Sequence, residues 1–239
     1  SFIRSGTELN NLYIGRYLGS QVEPLVLYSR SGETPSTGVT RANFRVMTGG
    51  RGTMGALLKY YDWDLVNKLY LLAFKNFDSH SALGPGVSRN IVNTGGTDKK
   101  SWMYSDGTGT TSMCFLGIED WWGNAACFVD DFYGTGGSYA GNNSSPTDDT
   151  SNKTQIATGL ANSSAYYLTC KATTDGFFIG ETSGGSSTTG ICDFQTYYSD
   201  GNVGYVGGTA SSAGAFHFNG YYSADTTFNG VSARITYAD

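Results

Sequence analysis

Residues 62–77 carry two apolar rows at helical spacing, and no other stretch restricts the fold as much. Trp63, Val66, Tyr70, Ala73 and Phe77 step by three or four residues, with Leu65, Leu69 and Leu72 as a second row beside them. Only Asp64, Asn67, Lys68 and Lys75 are left for water, which predicts a helix buried over most of its circumference. Upstream, Thr40 is placed to cap a shorter helix running to about Met47, with Gly49 and Gly50 ending it.

After residue 78 the helical period stops. DSHSALGPGVSRN (78–90) reads as a turn-rich loop, and GTGGSYAGNNSSPTDDTSNKT (134–154) as a long surface loop. Between and beyond them lie short strand-like runs: MCFLGIEDWW (113–122), ACFVDDFY (126–133), AYYLTCKA (165–172) and GFFIGE (176–181). GNVGYVGG, GAFHF and SARITYA complete the series. Residues 1–38 read as an extended segment, two short-strand runs followed by the loop SRSGETPSTG (29–38). Two early helices and many late strands predict one α+β domain over residues 1–239.

Charged residues make up 15% of the chain, against about 25% in typical soluble domains. With 34 glycines and 14% aromatics, the surface must stay polar through hydroxyls and amides, as on many extracellular and virion-surface proteins. The net charge is −5 and no basic stripe exists to follow a phosphate backbone, so nucleic acid is not expected as a partner. No run of about 18 apolar residues predicts a membrane span. Cys114, Cys127, Cys170 and Cys192 form no CxxC pair; they read first as free, mostly buried thiols, with one or two disulfides as the alternative.

Catalytic constellations are sparse. Glu119-Asp120, Asp130-Asp131 and Asp148-Asp149 are paired carboxylates, but neighbours on a strand point to opposite faces and make poor acid/base couples. His80 and His217 are the only histidines, and both sit in turn-rich contexts that do not suggest a nucleophile–base pair. Calcium is considered near Asp130, Asp131 or the Asp200-Gly201-Asn202 turn, without an EF-hand spacing to support it; no cofactor is expected. The C-terminal residues 196–239 offer more. They mix Tyr, Phe, Ser, Thr, Asn and Gly, a combination that gives paratopes both rigid contact area and adaptable hydrogen bonds. Tyr221, Tyr222 and Phe228 read equally well as ligand-facing rings or as packing on a β-rich edge. Lys, Glu, Gln, Met and Trp number 23 in the chain; about four would fall in these last residues at uniform composition, and none does.

Three segments, YYDWDLVNKLYLLAFKNFDSHSALGPG (60–86), LGIEDWWGNAACFVDDFY (116–133) and VGGTASSAGAF…SARITY (206–237), together resemble one family. The second is similar to the strand pair of the formylglycine-generating-enzyme-like branch of the C-type lectin fold. The third resembles the ending of phage and prophage tail-fibre receptor-binding proteins, some of them diversified by retroelements. The resemblance implies a C-type-lectin-like fold: two early helices packed on short, twisted, mostly antiparallel strands with long loops. It implies a non-catalytic receptor-binding domain on a virion tail tip that recognises a host-surface glycan or protein, with a homotrimer as the usual assembly of such fibres. A bacterial surface adhesin or lectin on the same fold is the alternative, and a glycan-degrading tail enzyme a further one.

In retroelement targets, adenine-directed mutagenesis of Asn-type codons cannot yield Lys, Glu, Gln, Met or Trp, which agrees with the depletion above. Carried onto this sequence, the fixed scaffold is Gly207, Gly208, Ala213, Gly214, Phe216, Ala233 and Arg234. The exposed, ligand-facing positions are Thr209, Ser211, Ser212, His217, Asn219, Tyr221, Tyr222, Asp225, Thr227 and Phe228. Val231-Ser232-Ala233-Arg234 stands where the family more often has a glycine two places before the arginine. Neither the paired cysteines of formylglycine-generating enzymes nor the EPN/QPD and WND calcium motifs of animal lectins have counterparts, so neither activity carries over.

Overall fold

The computed structural model describes residues 3–50, 55–158, 163–171, 179–197, 202–209 and 213–239. Helix α1 (Arg41–Gly49) starts where the sequence predicts: the Thr40 hydroxyl accepts the Asn43 N–H and caps it. Helix α2 (Tyr60–Phe74) ends earlier than expected, because Lys75 turns left-handed (φ 52°) and donates its N–H to the Leu71 carbonyl. A single turn, α3 (Ser79–Ala82), lies in the stretch read as loop, and the Asp78 carboxylate caps it through the Ser81 N–H.

The burial of α2 corrects the sequence reading. Its buried stripe is Tyr60, Trp63, Val66, Asn67 and Tyr70, whereas Leu69 (40% exposed), Leu72 (75%) and Ala73 face water. Two polar residues assigned to solvent are inside instead. Asp64 is buried against Lys68 at 2.5 Å, and Asn67 spans two other segments, accepting from the Trp121 indole (3.0 Å) and donating to the Ala215 carbonyl (2.8 Å). Helical period alone cannot tell a core row from an apolar row left open.

The strands are short, and the molecule is mixed α+β with strands predominating. β1 (Ile3–Arg4) pairs with β2 (Thr7–Glu8), β3 (Leu12–Ile14) follows, and β4 (Ser20–Glu23) pairs with β5 (Val26–Tyr28). β6 (Gly55–Leu57) precedes α2, and the expected strand at 113–122 is a small hairpin of β7 (Cys114–Phe115) and β8 (Ile118–Glu119). The remaining strands are β9 (Ala126–Gly134), β10 (Ser138–Ala140), β11 (Thr154–Ala157), β12 (Ser163–Lys171), β13 (Ile179–Ser183), β14 (Ile191–Tyr197), β15 (Asn202–Val206), β16 (Phe218–Tyr222), β17 (Val231–Ser232) and β18 (Ile235–Ala238). The largest sheet runs β11-β10-β9-β15-β16-β14-β12-β13, with β17 also beside β9. Its pairings are antiparallel except β14 with β16 and β9 with β17. A second sheet places β18 between β3 and β6, so residues far apart in sequence close on one another.

Two apolar clusters hold these layers. Trp63, Tyr70, Trp121, Trp122, Phe132, Phe216 and Phe218 belong to one, and Leu27, Phe44, Leu57, Phe128, Val203 and Tyr205 to the other. The segment 119–124 ties the long irregular stretch before it to the first of them, through Trp121 and Trp122. Glu119 accepts the Gly95 and Thr97 N–H groups and the Thr97 hydroxyl, Trp122 donates to the Gly84 carbonyl, and Asn124 bonds both the N–H and the C=O of Val92. A buried acid and a buried amide thus stand in for a sheet ladder. The loop at 134–154 is likewise fastened: it contains β10, Asp148 pairs with Arg41 and Arg45, and Lys153 pairs with Asp131. All four cysteines are free thiols, Cys114 and Cys127 buried and the other two half-buried.

Candidate functional site

After β15 the chain turns at Gly207 and Gly208, both with positive φ (79° and 63°). A Cβ on Gly208 would sit 2.8 Å from the His217 ring, so only glycine lets the ring close over the turn. Residues 213–218 are all buried. Here the Asp193 carboxylate lies against Gly214, accepts the Phe216 N–H (2.8 Å) and accepts from the Ser79 hydroxyl. His80 reaches the Ala213 carbonyl from α3 at 2.6 Å. Burial pushes the Asp193 carboxyl up to about 7.

The scaffold residues lie inside: Ala213, Phe216, Ala233 and Arg234 are buried. The Arg234 guanidinium donates to the backbone carbonyls of Gly15, Arg16, Glu119 and Asp120 at 2.7–3.0 Å, locking the closing strand to the N-terminal segment and to the 119–124 turn.

The ten expected ligand-facing positions divide. Tyr221, Asp225 and Thr227 are exposed, while Thr209, Asn219, Tyr222 and Phe228 are half-buried. His217 is the correction: it is 5% exposed, covered because the turn at Gly208 folds beneath it. Ser211 and Ser212 lie outside the described residues. From Tyr221 to Gly230 the burial alternates, odd positions out and even positions in, so Tyr222 and Phe228 pack as well as show a face.

Those inward rings form a ladder. Phe44 of α1 meets Phe128 (centroids 6.1 Å apart), Phe128 meets Tyr205 edge-on (6.4 Å), and Tyr205 stacks on Tyr222 (5.9 Å, 17° between planes). Tyr222 touches Phe228 (3.8 Å), and Tyr221 stands against it at 68° with 48% of its surface exposed. Burial raises the Tyr205 hydroxyl pKa above its usual value, with Tyr222 adding to it. Tyr205 belongs to no expected site, yet it carries the rings above it. Its alternation within GNVGYVGG placed it in a strand, and nothing in the sequence revealed what it stacks on. Backbone order at the tip comes from local bonds: Asn219 accepts the Tyr221 N–H, Ser223 and Thr226 share a hydrogen bond, and Phe228 accepts the Gly38 N–H.

The carboxylates of these pairs are engaged by other side chains and backbone groups, although Asp120 Oδ1 has no hydrogen-bond partner among the described residues. Glu119 is bonded as above, and Asp120 accepts from Ser112 and Asn124, its pKa raised by burial to about 7. Asp130 is held by Arg45, and Asp131 by Asn143 and Lys153. Asp148 sits between Arg41 and Arg45. Among the described residues no group of three or more His, Cys, Asp or Glu side chains is arranged to hold a metal ion. Nor is any described helix long and apolar enough to cross a membrane.

No protein-family model matches this chain, and no curated protein matches it.

Proposed function

We propose that this chain is a non-catalytic receptor-binding domain of C-type-lectin-like architecture, carried on a phage tail fibre or tail tip, that recognises a host-surface glycan or protein. The ring ladder ending at Tyr221 is the observation that carries this reading. Tyr221 has about half its surface in water and packs edge-on against Tyr222, itself stacked on Tyr205, so contact area is offered from a supported ring. Asp225 and Thr227 are exposed polar positions a few residues on in the same segment, and Thr209 and Asn219 are half-buried. The bonded state of the carboxylate pairs, and the interior position of His217, support binding rather than acid/base or nucleophilic chemistry. The open Leu69 and Leu72 positions on α2 suit packing between subunits of a homotrimer.

Adsorption to cells is the test. The chain is expected to bind the surface of a bacterial host and to compete with virions for it, and Tyr221→Ala together with Asp225→Ala is expected to abolish both. Retention on no bacterial surface, or retention unaltered in that double variant, would count against the proposal.

A further inference from the structure

The sheet that closes the chain carries a second aromatic surface. Tyr13 of β3 and Tyr237 of β18 are direct cross-strand partners and so project on the same face. Their centroids are 6.0 Å apart with 59° between planes, and both rings are open to water, 53% and 41% exposed. Both line a groove of about 260 Å³, together with Tyr28, Ser29 and Arg30. The Arg30 guanidinium is held 5.9 Å from the Tyr28 ring and is half exposed, with Glu33 3.9 Å away offsetting its charge. Part of the lining is fixed backbone: Gly15 donates its N–H to the Ile235 carbonyl at 2.8 Å, and its own carbonyl accepts from Arg234.

We infer that this groove is a glycan subsite that seats one or two pyranose rings of a neutral oligosaccharide. Two tilted tyrosines offer a ring face to the apolar C–H side of a sugar while their hydroxyls stay at the rim. The Arg30 guanidinium in the same lining supplies paired N–H donors for adjacent hydroxyls, and needs no acidic ligand because Glu33 balances it. The volume is below the roughly 300–1,000 Å³ of drug-sized pockets, which suits a short run of sugar units and not a folded protein segment. Proline-rich peptide is the other occupant that tyrosine-lined grooves take, but it needs a groove long enough for successive turns of extended chain. The site uses none of the residues of the Tyr221 ladder and stands on its own geometry.

Saturation-transfer NMR on the whole chain tests it, with a panel of neutral trisaccharides (glucose, mannose, galactose and N-acetylglucosamine types) and decaproline as the peptide probe. At least one trisaccharide is expected to receive saturation on its ring C–H protons. Tyr13→Ala and Tyr237→Ala are each expected to weaken that binding about tenfold or more, and Arg30→Gln to weaken it as well. Tyr221→Ala is expected to leave it unchanged, which separates failure here from failure of the receptor-binding surface. All three positions are at the surface, and an unshifted thermal melt verifies folding of each variant. Saturation of no trisaccharide, binding indifferent to Tyr13 and Tyr237, or decaproline taking the site instead would overturn the inference.

Discussion

The Trp121 indole donates its N–H to the Asn67 amide oxygen at 3.0 Å, with both side chains buried, and the same amide donates onward to Ala215. One side chain on α2 thereby joins the 119–124 turn to the buried segment 213–218. Asn67→Ala leaves an indole N–H and a carbonyl without partners and opens a small void. A loss of about 2–4 kcal/mol is expected, read as a lower urea midpoint with unchanged m-value. A change below about 1 kcal/mol would show that water replaces the amide without penalty.

Arg234 is expected to be less replaceable still. It is fully buried and its donors satisfy four backbone carbonyls from two segments. Lysine keeps the charge but cannot reproduce the planar fork, so Arg234→Lys is expected to cost about 3 kcal/mol or more. Differential scanning calorimetry checks it, and a Tm within a few degrees of the parent would contradict the assignment.

The buried acids set a pH dependence opposite to that of salt-bridged carboxylates. Asp193 and Asp120 are both pushed up to about 7, chiefly by burial, against about 3.9 when unfolded. Between about pH 4 and pH 7 the folded chain therefore binds more protons than the unfolded one. Stability falls as pH rises through that window and levels off above it, each group contributing a slope of up to about 1.4 kcal/mol per pH unit. Facing Asp193 are Ser79, Asp78, Cys192, Tyr70 and, across the Ala213 carbonyl, His80. Asp193→Asn keeps an acceptor for the Phe216 N–H and can donate to Ser79. Urea melts at about pH 5 and about pH 8 are expected to converge in this variant relative to the parent, and parallel pH profiles would refute the assignment.

Packing and contact separate within the ring ladder. Tyr222→Ala and Phe228→Ala remove rings that pack on Tyr205 and are expected to lower stability by about 1–3 kcal/mol. Tyr221→Ala is expected to stay within about 0.5 kcal/mol while losing cell binding. Chemical denaturation alongside adsorption distinguishes the two, and equal destabilisation at Tyr221 would make it a core ring.

Asp148 anchors the 141–153 loop to α1, paired with Arg41, which is itself wholly buried, and with Arg45. Burial alone would raise the Asp148 pKa; the two guanidinium groups hold it below the usual carboxylate value. Asp148→Ala leaves Arg41 with less compensation, so a loss of about 2–4 kcal/mol is expected together with faster proteolysis within residues 144–152. Cleavage there at the parent rate would show the loop is held by other bonds.

What the sequence disclosed and what it withheld follow physical lines. α1 was legible because its cap and its stop are local: Thr40 bonds a group three residues away, and Gly50 ends the turn. The strands expected at 126–133 and 165–172 were legible from apolar and aromatic runs and are found at Ala126–Gly134 and Ser163–Lys171. The burial of Asn67 and Asp193 was not, because each is satisfied by partners more than 20 residues distant or on another element, and a lone polar residue gives no hint of them. The two rows on α2 were equal by period, and only tertiary contact decided that Tyr70 goes in and Leu72 stays out. His217 went the same way: the resemblance made it ligand-facing, yet the distant Gly208 turn closes against its ring.

The pairing of β18 with β3 also governs how fast the chain can fold. Asn11 and Asp239 exchange backbone hydrogen bonds across 228 positions, so this ladder cannot zip from any nearby turn. Its closure entropy must be met before a single bond rewards it, which places the second sheet after the hairpins and helices in time and makes the whole a slow folder among domains of its size.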